Sequence, residues 1–313
     1  MAVIVFGSIN MDIVARTPRL PEPGETITGR AFFTAPGGKG ANQAVAAARL
    51  GVPTRMVGRV GGDTFGQELL QQLRQAGVDT TGVLTDPETS SGVAIIAVDD
   101  AAQNNIIIVP GANGRVDQTD VDRLAGFLPQ AKILLLQLEA PLEASLAAAR
   151  LARQHGLTVI LDPAPARDLP VEAYTLANII TPNEVEAAQL VGFPIRTIAD
   201  GHRAAAVLVE RGVTTAVVKL GDRGAVFATR EHADGIRYGL TPAFKVQAVD
   251  TVAAGDAFNG ALAAALVEGH PLDTALQWAA AVGALSTTRA GAQPSMPTRA
   301  EFESFLKRQI GAK

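Results

Sequence analysis

Asp256 lies in the stretch Asp250-Thr251-Val252-Ala253-Ala254-Gly255-Asp256-Ala257-Phe258-Asn259-Gly260-Ala261, where small residues lead into a helical pattern. The first turn of a helix presents unpaired N–H groups and a partial positive charge. With so little side chain in the way, Ala253, Ala254 and Gly255 can bring those N–H groups against a phosphate. A carboxylate in the same place repels an anion unless it has a chemical task. Accepting the proton of an alcohol that attacks phosphorus is such a task. An ordinary aspartate, with a pKa of about 3.9, is ionised for it at neutral pH. The plainer reading is a helix cap, where an acid stabilises by about 0.3–1 kcal/mol.

Phosphoryl transfer here would need an uncommon scaffold. No Gly-x-x-x-x-Gly-Lys-Ser/Thr loop occurs, since Lys39 is followed by Gly40, and there is no kinase His-Arg-Asp set. Other segments carry polar groups where a ligand could use them. Gly7-Ser8-Ile9-Asn10-Met11-Asp12 follows the first apolar run. Alternation puts Asn10 and Asp12 on one side, with donors and acceptors suited to sugar hydroxyls, although, read alone, an Asx turn leaving the strand is the better account. In Gly37-Gly38-Lys39-Gly40-Ala41-Asn42-Gln43-Ala44, glycines open a helix, Lys39 brings a point charge and Asn42 faces one turn along. That suits a phosphate or a polyol, or simply a loop and N-cap. Gln137-Leu138-Glu139 ends another apolar run. Thr181-Pro182-Asn183-Glu184-Val185-Glu186 opens a helix with Asn183 and Glu186 on one face. They form either a capping box or a Mg²⁺–phosphate water network held through Glu186. Lys219-Leu220-Gly221-Asp222-Arg223-Gly224 is a Gly-bounded turn that suits close approach to a nucleotide, or a plain hairpin. His155, His202, His232 and His270 show no metal spacing and are expected on the surface. No nucleophile elbow supports Ser/His/Asp chemistry.

These residues must be held by a scaffold, and its pattern is legible. Short apolar runs at 3–6, 55–60, 133–136, 158–161, 179–180 and 215–219 read as buried parallel strands. Helical patterns lie between them at 40–50, 65–75, 142–154, 184–191 and 202–211. Two long helices, 255–268 and 272–288, and an amphipathic tail at 299–309 close the chain. The alternation predicts an α/β fold: a doubly wound, mostly parallel sheet flanked by helices. Two segments break it. Residues 12–16 and 25–34 are strand-like around Pro18, Pro21 and Pro23, and 92–98 pairs with 104–109 around a polar turn. They predict a small β-sheet lid from inserted segments 12–36 and 90–110 within one domain, 1–313; the alternative is an extension of the main sheet at its edge.

Composition narrows the function classes. The chain has 313 residues, 47% hydrophobic and 19% charged, enough for a large core and unlike a disordered chain. A net charge of −4 argues against a general nucleic-acid or membrane-surface binder. There is no cysteine, which excludes disulfides, thiolate catalysis and cysteine metal sites. The N-terminal residues read as a strand rather than a signal peptide, and no apolar run could span a bilayer, so a cytoplasmic location is expected.

Taken in order, the Gly7–Asp12, Gly37–Gln43, Gln137–Glu139, Thr181–Glu184 and Asp250–Gly260 stretches, with Asp162-Pro163-Ala164-Pro165-Ala166-Arg167, resemble the ribokinase-like carbohydrate kinase family over the whole chain. The family often has Asn where this chain has Asp162. The resemblance implies ATP-dependent phosphorylation of D-ribose at its 5-hydroxyl; a 2-deoxyribose kinase or another pentose or nucleoside kinase is the alternative. It implies Asp256 as base and the backbone of Ala253, Ala254, Gly255 and Asp256 as an anion hole. Asn10, Asp12, Gly38, Lys39, Asn42 and Glu139 would bind the sugar. Asn183 with Lys219, Gly221, Asp222, Arg223 and Gly224 would line the nucleotide site, beside Gly255, with Glu186 organising Mg²⁺. Lys219 stands where a Thr is expected, and its ammonium could reach a phosphate. A monovalent cation, usually potassium, would be held at Asp250, Val252, Ser286, Arg289, Gly291 and Ser295, mostly by carbonyl oxygens; Ser286 replaces an expected Ala. The family also dimerises through its β-lids, so a homodimer is implied.

Overall fold

The computed structural model describes residues 1–101, 103–230 and 235–311. Strand β1 (Ala2–Phe6) shows how the molecule is layered. Val3 and Val5 join one core cluster, Ile4 and Phe6 the other, and all four are buried. A strand apolar on both faces must be covered on both, which is why the sheet is sandwiched by helices.

The polar segments after β1 leave this sheet. Strands β2 (Asn10–Arg16) and β3 (Ala31–Gly37) run antiparallel, with Asn10 opposite Gly37 and Arg16 opposite Ala31. Helix α1 (Lys39–Arg49) returns the chain to β4 (Thr54–Gly61), and α2 (Thr64–Gln75) leads to β5 (Val78–Asp86). Strands β6 (Gly92–Val98) and β7 (Asn104–Val109) then complete a separate four-stranded sheet in the order β3-β2-β6-β7. The segments 12–36 and 90–110 therefore do not extend the main sheet.

The chain re-enters the main layers with α3 (Gln118–Ala125), β8 (Ala131–Leu136), α4 (Leu142–Gln154), β9 (Thr158–Leu161), α5 (Val171–Leu176), β10 (Ile179–Ile180), α6 (Glu184–Val191), α7 (Ile198–Glu210) and β11 (Thr215–Lys219). Strands β12 (Ala225–Arg230) and β13 (Ile236–Thr241) form an antiparallel edge. Helices α8 (Ala254–Val267), α9 (Leu272–Ser286) and α10 (Arg299–Gly311) close the fold. The nine-stranded order is β13-β12-β11-β10-β9-β8-β1-β4-β5, parallel from β11 to β5. The strand order reverses at β1, flanked by β8 and β4, and open α/β sheets bind ligands outside the carboxyl ends at such a point.

Two expectations need correction. The strand expected at 25–34 lies at Ala31–Gly37. Its outer residues are exposed, so backbone register with β2, not burial, sets its position; Pro36 is tolerated because β3 is an edge strand. Of the histidines, His155 is exposed, but His202 and His270 are half-buried against Tyr238 and Trp278. His232 lies outside the described residues. No helix among the described residues is long and apolar enough to cross a membrane.

Candidate active site

The carboxyl ends of β1, β8, β9, β10 and β11 deliver, in turn, Ser8, Glu139, Asp162, Asn183 and Lys219 to one side of the sheet. Helices α1 and α8 open onto the same side. Gly260 fixes how closely those helices pack: a Cβ there would lie 2.5 Å from Ala46 Cβ and 2.7 Å from the Gln43 carbonyl. That approach sets the first turn of α1 against the first turn of α8.

Asp256 is buried at this contact, at 5% exposure. Its carboxylate accepts from Asn42 Nδ2 at 2.9 Å and from Gln43 Nε2 at 3.1 Å. It makes no cap: the N-cap of α8 is Ala253, with no side-chain hydrogen bond. Ala253 is the one non-glycine residue with positive φ (59°) among the described residues. Such a conformation costs on the order of 1–3 kcal/mol and persists only where surroundings enforce it. It turns the chain into α8 so that Ala254 N–H reaches the Thr251 carbonyl and Ala257 N–H the Ala253 carbonyl. The amides of Gly255 and Asp256 are left as first-turn donors with no intrahelical acceptor.

Around this mouth runs a chain of polar groups. Gln137 Nε2 donates to Gln43 Oε1 at 2.7 Å, and Gln43 Nε2 also donates to Asp162 Oδ2 at 2.9 Å. Asp162 Oδ1 pairs with Lys219 Nζ at 3.0 Å. Lys219 Nζ in turn lies 3.3 Å from where a Gly255 Cβ would stand, so its ammonium sits beside the helix opening. Burial pushes the Asp256 carboxyl up to about 6, against the pull of Lys39; Asp162 adds to the rise and the Asn42 and Gln43 bonds oppose it. Burial lowers the proton affinity of Lys39, but Asp256, Asp162, Glu139 and Glu186 outweigh it and keep the ammonium charged.

The expected sugar-binding residues converge here. Glu139 Oε2 accepts from Ser8 Oγ at 2.5 Å and from Lys39 N–H at 3.0 Å. Asn10 and Asp12 are in β2, not an Asx turn, and Gly38 precedes α1 as its N-cap. Burial, then Glu139 and Asp256, raise the Asp12 carboxyl to about 7.

On the other flank, Asn183 and Glu186 do form a capping box: Glu186 N–H donates to Asn183 Oδ1 at 2.9 Å, and Asn183 N–H to Glu186 Oε2 at 2.7 Å. Burial, reinforced by Asp162, raises the Glu186 carboxyl, with Lys219 opposing. Lys219 N–H donates to Pro182 O at 2.9 Å, which joins the opening of α6 to the turn Gly221–Arg223 between antiparallel β11 and β12. Arg223 is ion-paired with Glu184 across that join. Asp222 and Gly221 are exposed, and Gly224 is buried.

The expected cation loop is also drawn together. Asp250 Oδ2 accepts from Gly291 N–H at 2.8 Å and Oδ1 from Val252 N–H at 3.0 Å. The Ser286 and Ser295 hydroxyls donate to the Gly283 and Ala292 carbonyls at 2.8 Å each, and the Arg289 side chain pairs with Glu301. Both Asp250 side-chain oxygens are engaged within these loops, so backbone carbonyls would have to supply the oxygen donors a hard ion takes. Among the described residues no three or more His, Cys, Asp or Glu cluster as a metal site.

Sequence reasoning missed Gln43 and Asp162 as site members, although both lie inside quoted motifs. Their signal was position: Gln43 follows Asn42 on α1, and Asp162 follows β9 at a carboxyl end.

The arrangement, a buried carboxylate beside open helix amides and two lysines, can take a proton from an alcohol next to a bound phosphate. The family model described as pfkB family carbohydrate kinase matches residues 2–299. A ribokinase of Haemophilus influenzae is 41% identical over 303 residues, 97% of each chain. A deoxyribokinase of Salmonella typhi is 38% identical over 307 residues, 98% of this chain and 99% of that one. The structure of Arabidopsis thaliana ribokinase complexed with ribose and ATP superposes with a TM-score of 0.90 at 35% identity, covering 98% of both chains.

Proposed function

Since this chain belongs to the pfkB family of carbohydrate kinases, we propose that it phosphorylates D-ribose at O5 with ATP, giving D-ribose 5-phosphate and ADP. The observation that carries the reaction type is Asp256, buried, held by Asn42 and Gln43, and adjacent to the free amides of α8. Asp256 takes the proton of the 5-hydroxyl as that oxygen attacks the γ-phosphorus. The backbone of Ala253, Ala254, Gly255 and Asp256 forms the anion hole, with the free Gly255 and Asp256 N–H groups facing the charge that builds on the transferring oxygens. Lys39 and Lys219 add positive charge at the same mouth.

Asn10, Asp12, Gly38, Lys39, Asn42 and Glu139 bind the sugar in this reading. Asn183 and the turn carrying Lys219, Gly221, Asp222, Arg223 and Gly224 hold the nucleotide. Magnesium, when bound to ATP, neutralises phosphate charge. One buried carboxylate, Glu186, with one oxygen spent on its capping box, suits an ion that keeps most of its waters. The loops of Asp250, Val252, Ser286, Arg289, Gly291 and Ser295 hold a monovalent cation such as potassium, which would steady the backbone leading into the anion hole.

The small sheet acts as a lid over the sugar within a single domain. Its exposed apolar residues, among them Phe32, Ile106 and Ile107, support a homodimer formed lid to lid. A cytoplasmic site of action fits a reaction that consumes ATP.

The deoxyribokinase relative favours a second reading in which 2-deoxyribose is the acceptor. Release of ADP, followed with each sugar and with Mg²⁺ and K⁺ supplied or withheld, separates the two. The expected result is turnover that needs ribose and Mg²⁺, rises with K⁺, and shows a higher kcat/KM for ribose. A higher kcat/KM for 2-deoxyribose would overturn the substrate assignment.

A further inference from the structure

Asn113 follows β7, in the short 3₁₀ turn Gly111–Arg115, and only 1% of it is exposed. Its side chain bridges the backbone of Ile9: Ile9 N–H donates to Asn113 Oδ1 at 2.9 Å, and Asn113 Nδ2 donates to the Ile9 carbonyl at 3.0 Å. Asn113 Nδ2 also meets Asn10 Oδ1 at 2.7 Å. These contacts fix amide orientations that a side chain alone would leave ambiguous. A backbone N–H can only donate, so the Asn113 oxygen must face it and the Asn113 nitrogen must face Asn10. That nitrogen can only donate, so the Asn10 atom it meets is the oxygen. The Asn10 NH₂ is then the half left over, and it has no hydrogen-bond partner among the described residues. Gly92 closes the third side. A Cβ on it would lie 2.2 Å from Asn113 Nδ2 and 2.3 Å from Asn10 Oδ1. Gly92 and Asn10 are register partners at the start of β6 and β2, and Asn113 lies just past the end of β7. The three meet at the root of the small sheet.

We infer that Asn113 is a positioning residue that locks the Asn10 amide with its NH₂ toward the sugar, so that Asn10 recognises the acceptor as a donor to a hydroxyl oxygen. This rests on the proposed sugar site. The polarity of the Ile9 backbone, its N–H and its carbonyl, is thereby relayed through two side chains to the substrate. Because the relay is anchored at the root of the small sheet, movement of that sheet and recognition of the sugar are mechanically tied.

The test is a double-mutant cycle on the full-length enzyme with Asn113→Ala, Asn10→Ala and the pair. Asn113→Ala is expected to raise the KM for ribose tenfold or more and to leave the KM for ATP within twofold. Once Asn10 is already Ala, adding Asn113→Ala should raise the ribose KM no further. Gly92→Ala, which crowds the same contact from the other side, should reproduce the ribose-selective effect. Multiplicative effects of Asn113→Ala and Asn10→Ala would overturn the inference, as would equal losses for ribose and ATP. If Asn113→Ala does not fold, Gly92→Ala paired with Asn10→Ala gives the same cycle. A wild-type enzyme without activity on any pentose would overturn the functional reading, and this inference with it.

Discussion

As the proposed base, Asp256 is under two opposing influences. It must be ionised to act as a base, yet burial favours its neutral form and lifts it to about 6. Lys39, Asn42 and Gln43 pull the other way, and the balance leaves it mostly ionised at neutral pH. Asp256→Asn is expected to keep the fold and ATP binding and to lower kcat by about 10²–10⁴-fold, the range of a lost general base; near wild-type turnover would remove the base assignment. The wild-type rate should fall below about pH 6 as the base takes up a proton. Asp162 raises the Asp256 carboxyl. Asp162→Asn should therefore shift the acid limb of the kcat profile to lower pH, and a shift to higher pH would contradict that coupling. The sequence showed an acid at a helix mouth and could not separate base from cap. The difference lies in the donors on α1, more than two hundred residues away in the chain, and spacing along a chain does not report such contacts.

Among the elements, α1 and α8 do most to build the site. Gly260 is the residue on which their distance depends. In Gly260→Ala the added carbon meets Ala46 and the Gln43 carbonyl well inside contact distance, so the helices must part. Overpacking of this kind costs about 1–3 kcal/mol. It should also pull Asn42 and Gln43 off Asp256, so kcat should fall along with Tm; a variant unchanged in both would show that the helices tolerate separation. The main-sheet strands legible in the sequence were those buried on both faces, because they read as unbroken apolar runs. Edge strand β5, Val-Asp-Thr-Thr-Gly-Val-Leu-Thr-Asp, carries too few apolar residues to stand out, and the antiparallel edge β12–β13 was passed over too. Strand β3 was misplaced because its residues 31–34 are exposed, so nothing in their polarity marks the register. Helices α3 and α5, of 8 and 6 residues, went unread.

At the scale of the whole molecule, the layered fold was legible because strand–helix alternation is a property of the entire chain. The separate small sheet was legible for the opposite reason, as two interruptions of that alternation. What no local pattern revealed is how the chain's acids are distributed. Asp12, Glu139, Asp162, Glu186 and Asp256 gather around Lys39 and Lys219 at the carboxyl ends of the strands, on a chain whose net charge is −4. Five carboxyl groups face two lysines, and with Asp12 raised to about 7 and Asp256 to about 6 the site becomes negative on balance as those acids ionise above neutrality. A nucleotide approaching from bulk water in that pH range is expected to meet repulsion before it reaches the helix amides. Dissolved ions weaken that barrier, over a Debye length of about 10 Å at 0.1 M. Stopped-flow association of a fluorescent ATP analogue with Mg²⁺ should consequently quicken as inert salt is added. The common expectation for an anion entering its own binding protein is slowing, and slowing here would mean that the lysines govern the encounter. Traffic into this site is thus expected to be limited by electrostatic admission rather than assisted by steering, so the ionic strength of the surroundings would act as a throttle on how often the enzyme is loaded.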